Sequence, residues 1–207
     1  AHMLYENSDP FRLYEPGGYL DVTGATYAAE GEGAVRIAGA RWHPSDRYTV
    51  KLEGARVAGY QTIVLALLRD PRYVADAANW AKDIEEKCRT KALACTSAEA
   101  DDFRIEIRLI GQNATLGDLE TQTGNPIEIG ALGLVTAKTQ ELAAEIGKLL
   151  NPYLLHHPLT VEEEQPTFAF PFSPAEIDRG AVYEFCLNHV LVLDDPMEAF
   201  ALEVRDV

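Results

Sequence analysis

The chain has 207 residues, of which 47% are hydrophobic and 25% are charged, so its composition excludes the disordered and fibrous classes. Its 18 basic and 33 acidic residues give a formal net charge of −15, which argues against nucleic acid or an anionic membrane surface as the main partner. The longest apolar run, residues 63–68, is far shorter than the roughly 20 residues that a membrane-spanning helix needs.

The N-terminus begins with Ala1-His2-Met3, which is typical of a cloning scar. The sequence from Leu4 onwards already resembles a folded domain, and this abrupt start predicts a fragment of a longer protein. Residues 4–207 are predicted to form a single α+β domain. The acidic loop at 161–166 is the candidate for an internal boundary.

The first third of the chain combines turn residues with strand patterns. Residues 4–33 are rich in Pro, Gly and Tyr, so they are predicted to be loop with little regular structure. Residues 35–37 and 48–53 alternate apolar and polar side chains, which predicts half-buried strands. A turn over Gly54–Gly59 is expected to lead into a central strand over Tyr60–Leu68.

Two helices are predicted in the middle of the chain. Asp70 and Pro71 are expected as the N-cap and first residue of an amphipathic helix whose apolar positions continue to Cys88. A second helix is expected to begin after Thr136 or Thr139 and to end at residues 151–152 or soon after.

Strands are predicted around and after these helices, at residues 103–109, 127–135, 182–193 and 199–204, with one short helix near 116–121. This order lacks the regular alternation of a Rossmann domain. The predicted fold class is therefore α+β, with a mixed, mostly antiparallel sheet and two main helices packed on it.

The three cysteines Cys88, Cys95 and Cys186 form neither a CxxC pair nor a disulfide-dense pattern. Such a low, odd count is typical of a reducing compartment. Cys88 falls on an apolar helical stripe and Cys186 in a predicted strand, so both are expected to be small core residues.

The familiar nucleotide and catalytic motifs, GxGxxG, Walker A, HExxH and GxSxG, do not occur, so the cofactor is left unknown. His156 and His157 are the only adjacent histidines. Neighbouring side chains diverge at a helix end, and histidines there interact favourably with the helix dipole. No metal site is predicted.

The densest group of polar residues lies at 178–189 and begins with Asp178-Arg179. In a strand, Glu184, Cys186 and Asn188 share one face, which places the Glu184 carboxylate and the Asn188 amide about 13 Å apart. These residues either line a cleft or belong to the solvated face of an antiparallel strand.

Two further features have both a binding and a structural interpretation. Lys51 and Glu53 share a strand face, which suits either a cross-strand ion pair or a site for an anionic substrate. The turn at Glu15-Pro16-Gly17 presents backbone N–H groups beside a carboxylate, or merely reverses the chain.

Three segments carry a resemblance to a known family: Leu4-Tyr5-Glu6-Asn7-Ser8-Asp9-Pro10, Leu20-Asp21-Val22-Thr23 and Val35-Arg36-Ile37-Ala38-Gly39-Ala40-Arg41. They resemble the acyclic terpene utilisation (AtuA-like) family, in which a "YE…DP…Y…D" stretch leads into "VRVSGAR" and a lysine-bearing strand, here Tyr48–Glu53. The resemblance implies a cytoplasmic protein of bacterial catabolism, encoded near acyl-CoA-processing enzymes, with a glycine-rich region upstream of this segment.

The leading hypothesis is the C-terminal domain or subunit of an AtuA-like enzyme that acts on a carboxylate or acyl-CoA-type substrate, in a lyase- or hydratase-like reaction. Glu184 and Lys51 are the candidate catalytic residues, and the candidate substrate-binding residues are Arg179, Asn188, Glu15 and Gly17. The alternative is a non-catalytic assembly domain that forms a homo-oligomer or binds a partner subunit through its strand edges and the aromatic segment Phe168–Phe172.

Overall fold

A computed structural model describes residues 9–122, 124 and 126–205, and the predicted cloning scar at 1–3 lies outside the described residues. The strands are β1 (Arg12–Glu15), β2 (Gly18–Asp21), β3 (Thr26–Ala29), β4 (Val35–Ala38), β5 (Arg41–Pro44), β6 (Tyr48–Leu68), β7 (Phe103–Ile110), β8 (Ile129–Ala137) and β9 (Glu176–Leu193). The helices are α1 (Pro71–Ala75), α2 (Ala77–Cys95) and α3 (Gln140–His156).

These strands form three sheets. The largest has the order β7-β8-β6-β9, a second has the order β1-β2-β5, and β3 pairs with β4 alone. The pairs β1–β2, β2–β5, β3–β4, β6–β8 and β7–β8 are all antiparallel. The predicted α+β class with a mostly antiparallel sheet is confirmed.

The chain divides into two compact units. The larger unit runs from Val57 to Tyr183, and the smaller one combines the described residues up to Arg56 with those from Glu184 onwards. The boundary predicted at 161–166 lies inside the larger unit, and the assignment of a single domain stays a prediction.

The prediction of loop over residues 4–33 is wrong for its described part, because β1, β2 and β3 lie there. Pro16 and Gly17 form a two-residue turn, since Glu15 pairs directly with Gly18. Gly17 has φ +84°, which matches the second central position of a type II turn. The turn residues therefore join two strands that are too short to show a long alternating pattern.

Two other predicted elements are also corrected. The turn over Gly54–Gly59 is absent because β6 runs through it. A Cβ on Gly59 would lie 2.8 Å from the carbonyl oxygen of Ala137, so this glycine allows a close approach to β8 within the sheet. Residues 199–204, predicted as a strand, form no strand, and Phe200, Leu202 and Val204 there are exposed.

The helix starts follow the capping signals in the sequence. The side chain of Asp70 accepts a hydrogen bond from the backbone N–H of Arg72, and Pro71 is the first helical residue. Thr139 accepts a hydrogen bond from the N–H of Leu142 and caps α3, whereas Thr136 lies in β8. The first helix is interrupted at Asp76, which separates α1 from α2.

The hydrophobic core lies in the larger unit, where the helices pack on one face of the β6–β7–β8 sheet. A Cβ on Gly133 would approach Leu150 to 2.7 Å and Leu154 to 3.0 Å, so glycine lets α3 lie close to the sheet. Tyr73, Trp80 and Phe168 pack edge to face in the same core.

The two histidines at the end of α3 have structural partners. His157 is buried, and its Nε2 lies 2.6 Å from Asp83 Oδ2. His156 Nδ1 lies 2.8 Å from the carbonyl oxygen of Pro166. No cluster of three metal-ligating side chains occurs among the residues that the structure describes.

The cysteine predictions have a divided outcome. Cys88 is fully buried as expected, and burial raises the pKa of its thiol to about 12, which makes it a poor nucleophile at neutral pH. Cys186 is exposed, so the prediction of a core position is wrong for it. In the described part of the chain, none of the helices is long and apolar enough to cross a membrane.

Glu85 on α2 protects the edge of the large sheet and gives a test of the packing there. Its carboxylate accepts a hydrogen bond of 2.5 Å from the N–H of Ile107 on the edge strand β7. Burial raises the pKa of Glu85 above its ordinary value of 4.5, with the charges of Glu106 and Glu86 adding to the effect.

We expect the unfolding free energy of the native chain to fall relative to a Glu85→Gln variant as the pH rises through the raised pKa of Glu85. A raised pKa in the folded state stabilises the fold only while the carboxyl is protonated, and the glutamine amide oxygen still accepts the N–H of Ile107. Urea unfolding at several pH values measures the difference, with Glu145→Gln on the exposed side of α3 as the control. A stability difference between the native chain and Glu85→Gln that does not change with pH would contradict the raised pKa of Glu85.

Candidate functional site

The smaller unit contains a three-stranded sheet with a regular cross-strand register. Tyr14 lies opposite Tyr19, and Tyr19 lies opposite His43. Because side chains alternate along a strand, these three rings share one face of the sheet. The Tyr19 and His43 rings are stacked with centroids 4.7 Å apart, and the Tyr14 and Tyr19 centroids are 5.3 Å apart. The face therefore carries a continuous aromatic row.

A row of charged residues lies beside the aromatic row. Arg12 is opposite Asp21, and Asp21 is opposite Arg41. Hydrogen bonding from Thr23 holds the pKa of Asp21 below its usual range, with smaller contributions from the charges of Arg12 and His43. Neither arginine forms an ion pair with a residue in the described part of the chain. With two cations to one anion, this row has an excess positive charge.

A cavity of about 430 Å³ opens beside this sheet within the smaller unit. Its size is within the range of about 300–1,000 Å³ that is usual for small-molecule sites. The sheet contributes Arg12 and the aromatic row, and the end of β9 contributes Asn188, Val190 and Val192 to the lining. The other lining residues are Asp9, Gly18, Pro44, Ser45, Thr49 and His189.

Asn188 is the most informative polar residue of the lining. It shares a face of β9 with Val190 and Val192, so its amide continues an apolar strip. Its Nδ2 atom is buried and has no hydrogen-bond partner within the described residues. A buried donor without a partner costs about 1–3 kcal/mol, and a ligand oxygen would remove that cost once the amide turns toward the cavity.

The structure brings Lys51, Glu15 and Gly17 together at the turn beside this cavity. Lys51 Nζ lies 3.1 Å from Glu15 Oε1 and 3.2 Å from Glu53 Oε1. The Glu15 carboxylate is the main reason that the pKa of Lys51 is raised. The backbone N–H of Gly17 donates a 2.6 Å hydrogen bond to Thr49 Oγ1. This group therefore stabilises the turn, and none of its three members lines the cavity.

Glu184 and Arg179 lie elsewhere. Arg56 contacts Glu184 Oε1 through both Nε, at 2.6 Å, and Nη2, at 2.5 Å. Glu184 does not line the cavity, although it is in the same unit as Asn188. Arg179 is an exposed residue of the larger unit. Their assignment as site residues stays a prediction.

Sequence reasoning missed Arg12, Tyr19 and His43, which belong to the two rows on the sheet. Arg12 and Tyr19 fall in the segment predicted as loop, and His43 lies outside every predicted strand. Their grouping depends on the register of β1, β2 and β5, which the spacing of these residues along the chain does not reveal. The Pro-Gly turn was the one local signal that two strands pair at this point.

A second cavity, in the larger unit, has a structural explanation. Its polar lining centres on Glu163, which lies 2.7 Å from Arg72 Nη1 and accepts a 3.0 Å hydrogen bond from the Tyr73 hydroxyl. The N–H of Leu159 donates to the same carboxylate at 3.1 Å. Both oxygens of Glu163 are therefore already used in holding the loop after α3.

The fold and the cavity define a class: an α+β protein with a site of small-molecule size on an antiparallel sheet. The family model described as "Acyclic terpene utilisation family protein AtuA" matches residues 1–183 of the 207-residue chain. The chain therefore belongs to the AtuA family, as its sequence resemblance predicted. Searches of curated proteins and of solved structures find no match.

The family match ends one residue before Glu184. Both Glu184 and Asn188 therefore lie outside the matched segment, whereas Arg12, Tyr19 and His43 lie inside it. The cavity thus combines one wall from the family segment with a second wall from the residues that follow it.

Gly18 gives a test of the register on which the site depends. A Cβ at this position would overlap the carbonyl oxygen of His43 and lie 2.7 Å from Trp42 Cζ2. We expect Gly18→Ala to destabilise the fold by about 1–3 kcal/mol through overpacking between β2 and β5. The measurement is urea unfolding followed by tryptophan fluorescence.

Gly24→Ala is the matched control, because a Cβ on Gly24 would have no neighbour within 4 Å. Its expected effect is within about 0.5 kcal/mol. Equal stability of the two variants would show that Gly18 does not need to be glycine for the pairing of β2 with β5.

Proposed function

We propose that this chain is the C-terminal domain or a subunit of a bacterial catabolic enzyme of acyclic terpene utilisation. In this proposal its cavity binds a carboxylate or acyl-CoA-type substrate. Membership of the AtuA family supports the metabolic role. The observation that carries the binding role is a cavity of about 430 Å³ whose aromatic and aliphatic lining also contains a cation and a buried amide.

The lining suits an amphipathic acyclic molecule. Tyr19 and His43 present a stacked pair of rings, and Val190 and Val192 present methyl groups, so a branched hydrocarbon chain has apolar surface to bury. Arg12 and Asn188 offer hydrogen-bond donors to an oxygenated head group. The site thus separates an apolar part of the ligand from its polar end.

The proposed chemistry at Glu184 is acid–base catalysis in a lyase- or hydratase-like reaction. For this role its carboxylate must exchange its contact with Arg56 for a contact with substrate. Lys51 is held as a cation by Glu15 and Glu53, which suits a charge-balancing role more than proton abstraction.

Isothermal titration calorimetry of the 207-residue chain tests the binding role. The probes are an acyclic monoterpenoid carboxylic acid and its CoA thioester. We expect at least one of them to bind, and Tyr19→Ala to weaken binding by about tenfold, equivalent to about 1.4 kcal/mol, because a stacked ring is lost.

Tyr27→Ala is the control, since Tyr27 is an exposed tyrosine on β3 that does not line the cavity. It should leave binding unchanged. Absence of binding by both probes, or equal loss in the two tyrosine variants, would refute the cavity as the substrate site.

A specific observation also favours the second candidate, an assembly domain. The sheet face opposite the helices of the larger unit carries Ile63 across from Leu134 and Leu65 across from Leu132, all only partly buried. Such an apolar face is typical of a surface that another chain covers. Of the segment predicted for this role, Phe168 packs into the chain's own core, whereas Phe172 is exposed.

If this face joins chains, Leu132→Glu should shift the mass measured by light scattering from an oligomer to a monomer. Desolvating a new carboxylate at the interface would oppose assembly. Leu93→Glu on the exposed side of α2 is the control and should leave the mass unchanged. A native chain that is monomeric at every concentration would exclude the homo-oligomer and leave only a different partner chain for this face.

A further inference from the structure

We infer that the cavity recognises a free carboxylate in preference to a thioester, with Arg12 as the counter-charge and Asn188 Nδ2 as a neutral donor. This inference rests on the proposed small-molecule site and specifies its ligand. Nothing in the family match assigns a head group to the site, and Asn188 lies beyond the matched residues.

The first argument comes from Asn188. Its Nδ2 is buried with no partner in the described part of the chain, and the next residues on its face of β9, Val190 and Val192, have no acceptor in their side chains. A buried N–H group requires an acceptor, and hydrogen bonds to an ionised acceptor are about twice as strong as neutral ones. A carboxylate oxygen at this position meets the requirement better than a thioester carbonyl.

The second argument comes from the charged row on the sheet. Asp21 is the one anion between Arg12 and Arg41, and its Oδ1 already accepts the N–H of Thr23 at 2.8 Å. One positive charge of the row therefore remains unbalanced, and Arg12 is the member that lines the cavity. A guanidinium binds a carboxylate through two parallel hydrogen bonds, whereas a thioester carbonyl gains little from its charge.

The third argument concerns the number of charges on the ligand. Asp9 also lines the cavity, and its Oδ1 accepts the backbone N–H groups of Phe11 at 2.8 Å and Arg12 at 3.1 Å. The negative charge of Asp9 repels an anionic ligand, and this repulsion increases with the negative charge of the ligand. A singly charged carboxylate is therefore favoured over a phosphate with nearly two charges.

The test compares four probes with one acyclic branched skeleton: the carboxylic acid, its CoA thioester, the primary alcohol and the alkyl phosphate. Calorimetry with the 207-residue chain should give the acid the highest affinity, about tenfold or more above the other three, because only the acid satisfies both donors with a single charge. Arg12→Gln should remove most of this preference and change the affinity for the alcohol far less, because the glutamine amide still donates a hydrogen bond.

Two further variants test the Asn188 donor and provide a control for Arg12. Asn188→Asp replaces the amide donor by a carboxylate and should weaken binding of the acid by more than about tenfold. Arg41→Gln is the matched control, because Arg41 lies on the same sheet face but does not line the cavity. It should change the affinity for the acid by less than about threefold, through screened charge alone.

The outcomes distinguish the inference from the function on which it rests. If none of the four probes binds, the proposed substrate site itself fails. If the thioester or the phosphate binds at least as tightly as the acid, or if Arg12→Gln and Arg41→Gln act alike, the carboxylate preference is overturned while the binding site stands.

Discussion

The two-residue turn at Pro16-Gly17 determines which side chains of the smaller sheet face the cavity. The turn pairs Glu15 with Gly18. This first pair sets the register of β1 with β2, which ends with Arg12 opposite Asp21. A shift of one residue would move Tyr19 and Asp21 to the opposite face of the sheet. The left-handed backbone of Gly17 and the close contact at Gly18 are therefore conditions for the aromatic row and the charged row to exist together.

The polar residues around this turn divide into two groups with different tasks. Lys51, Glu15 and Glu53 neutralise one another, and Thr49 accepts the N–H of Gly17, so their hydrogen bonds hold the turn. Arg12 and Asn188 have no such partners in the described residues and lie on the cavity lining. An exposed ion pair contributes only about 0–1 kcal/mol, so the first group matters more for geometry than for stability.

The sequence predicted the larger unit better than the smaller one. Long segments with a clear period, such as residues 103–109 and the apolar positions of α2, gave the right elements because their burial pattern repeats many times. The strands β1 and β2 have four residues each and a Pro-Gly turn between them, so local composition masked them. Of the residues that line the cavity, only Asn188 was named as a site residue from the sequence, where strand alternation assigns its face without knowledge of the register, and its role there stays a prediction.

The residues predicted from local chemistry and the residues that line the cavity differ for a physical reason. Sequence reasoning selects charged residues near turns and strand ends, and in this fold such residues, including Glu184 with Arg56, satisfy each other. A binding site needs donors that the protein leaves unsatisfied, and that property depends on which side chains meet across strands. Asn188 is distinguished because its buried Nδ2 has no acceptor among the described residues, and the valines that follow it on its face of β9 offer none. The carboxylate that we propose as the ligand would supply the acceptor that these donors lack, since the Asp9 carboxylate of the lining accepts the backbone N–H groups of Phe11 and Arg12 instead.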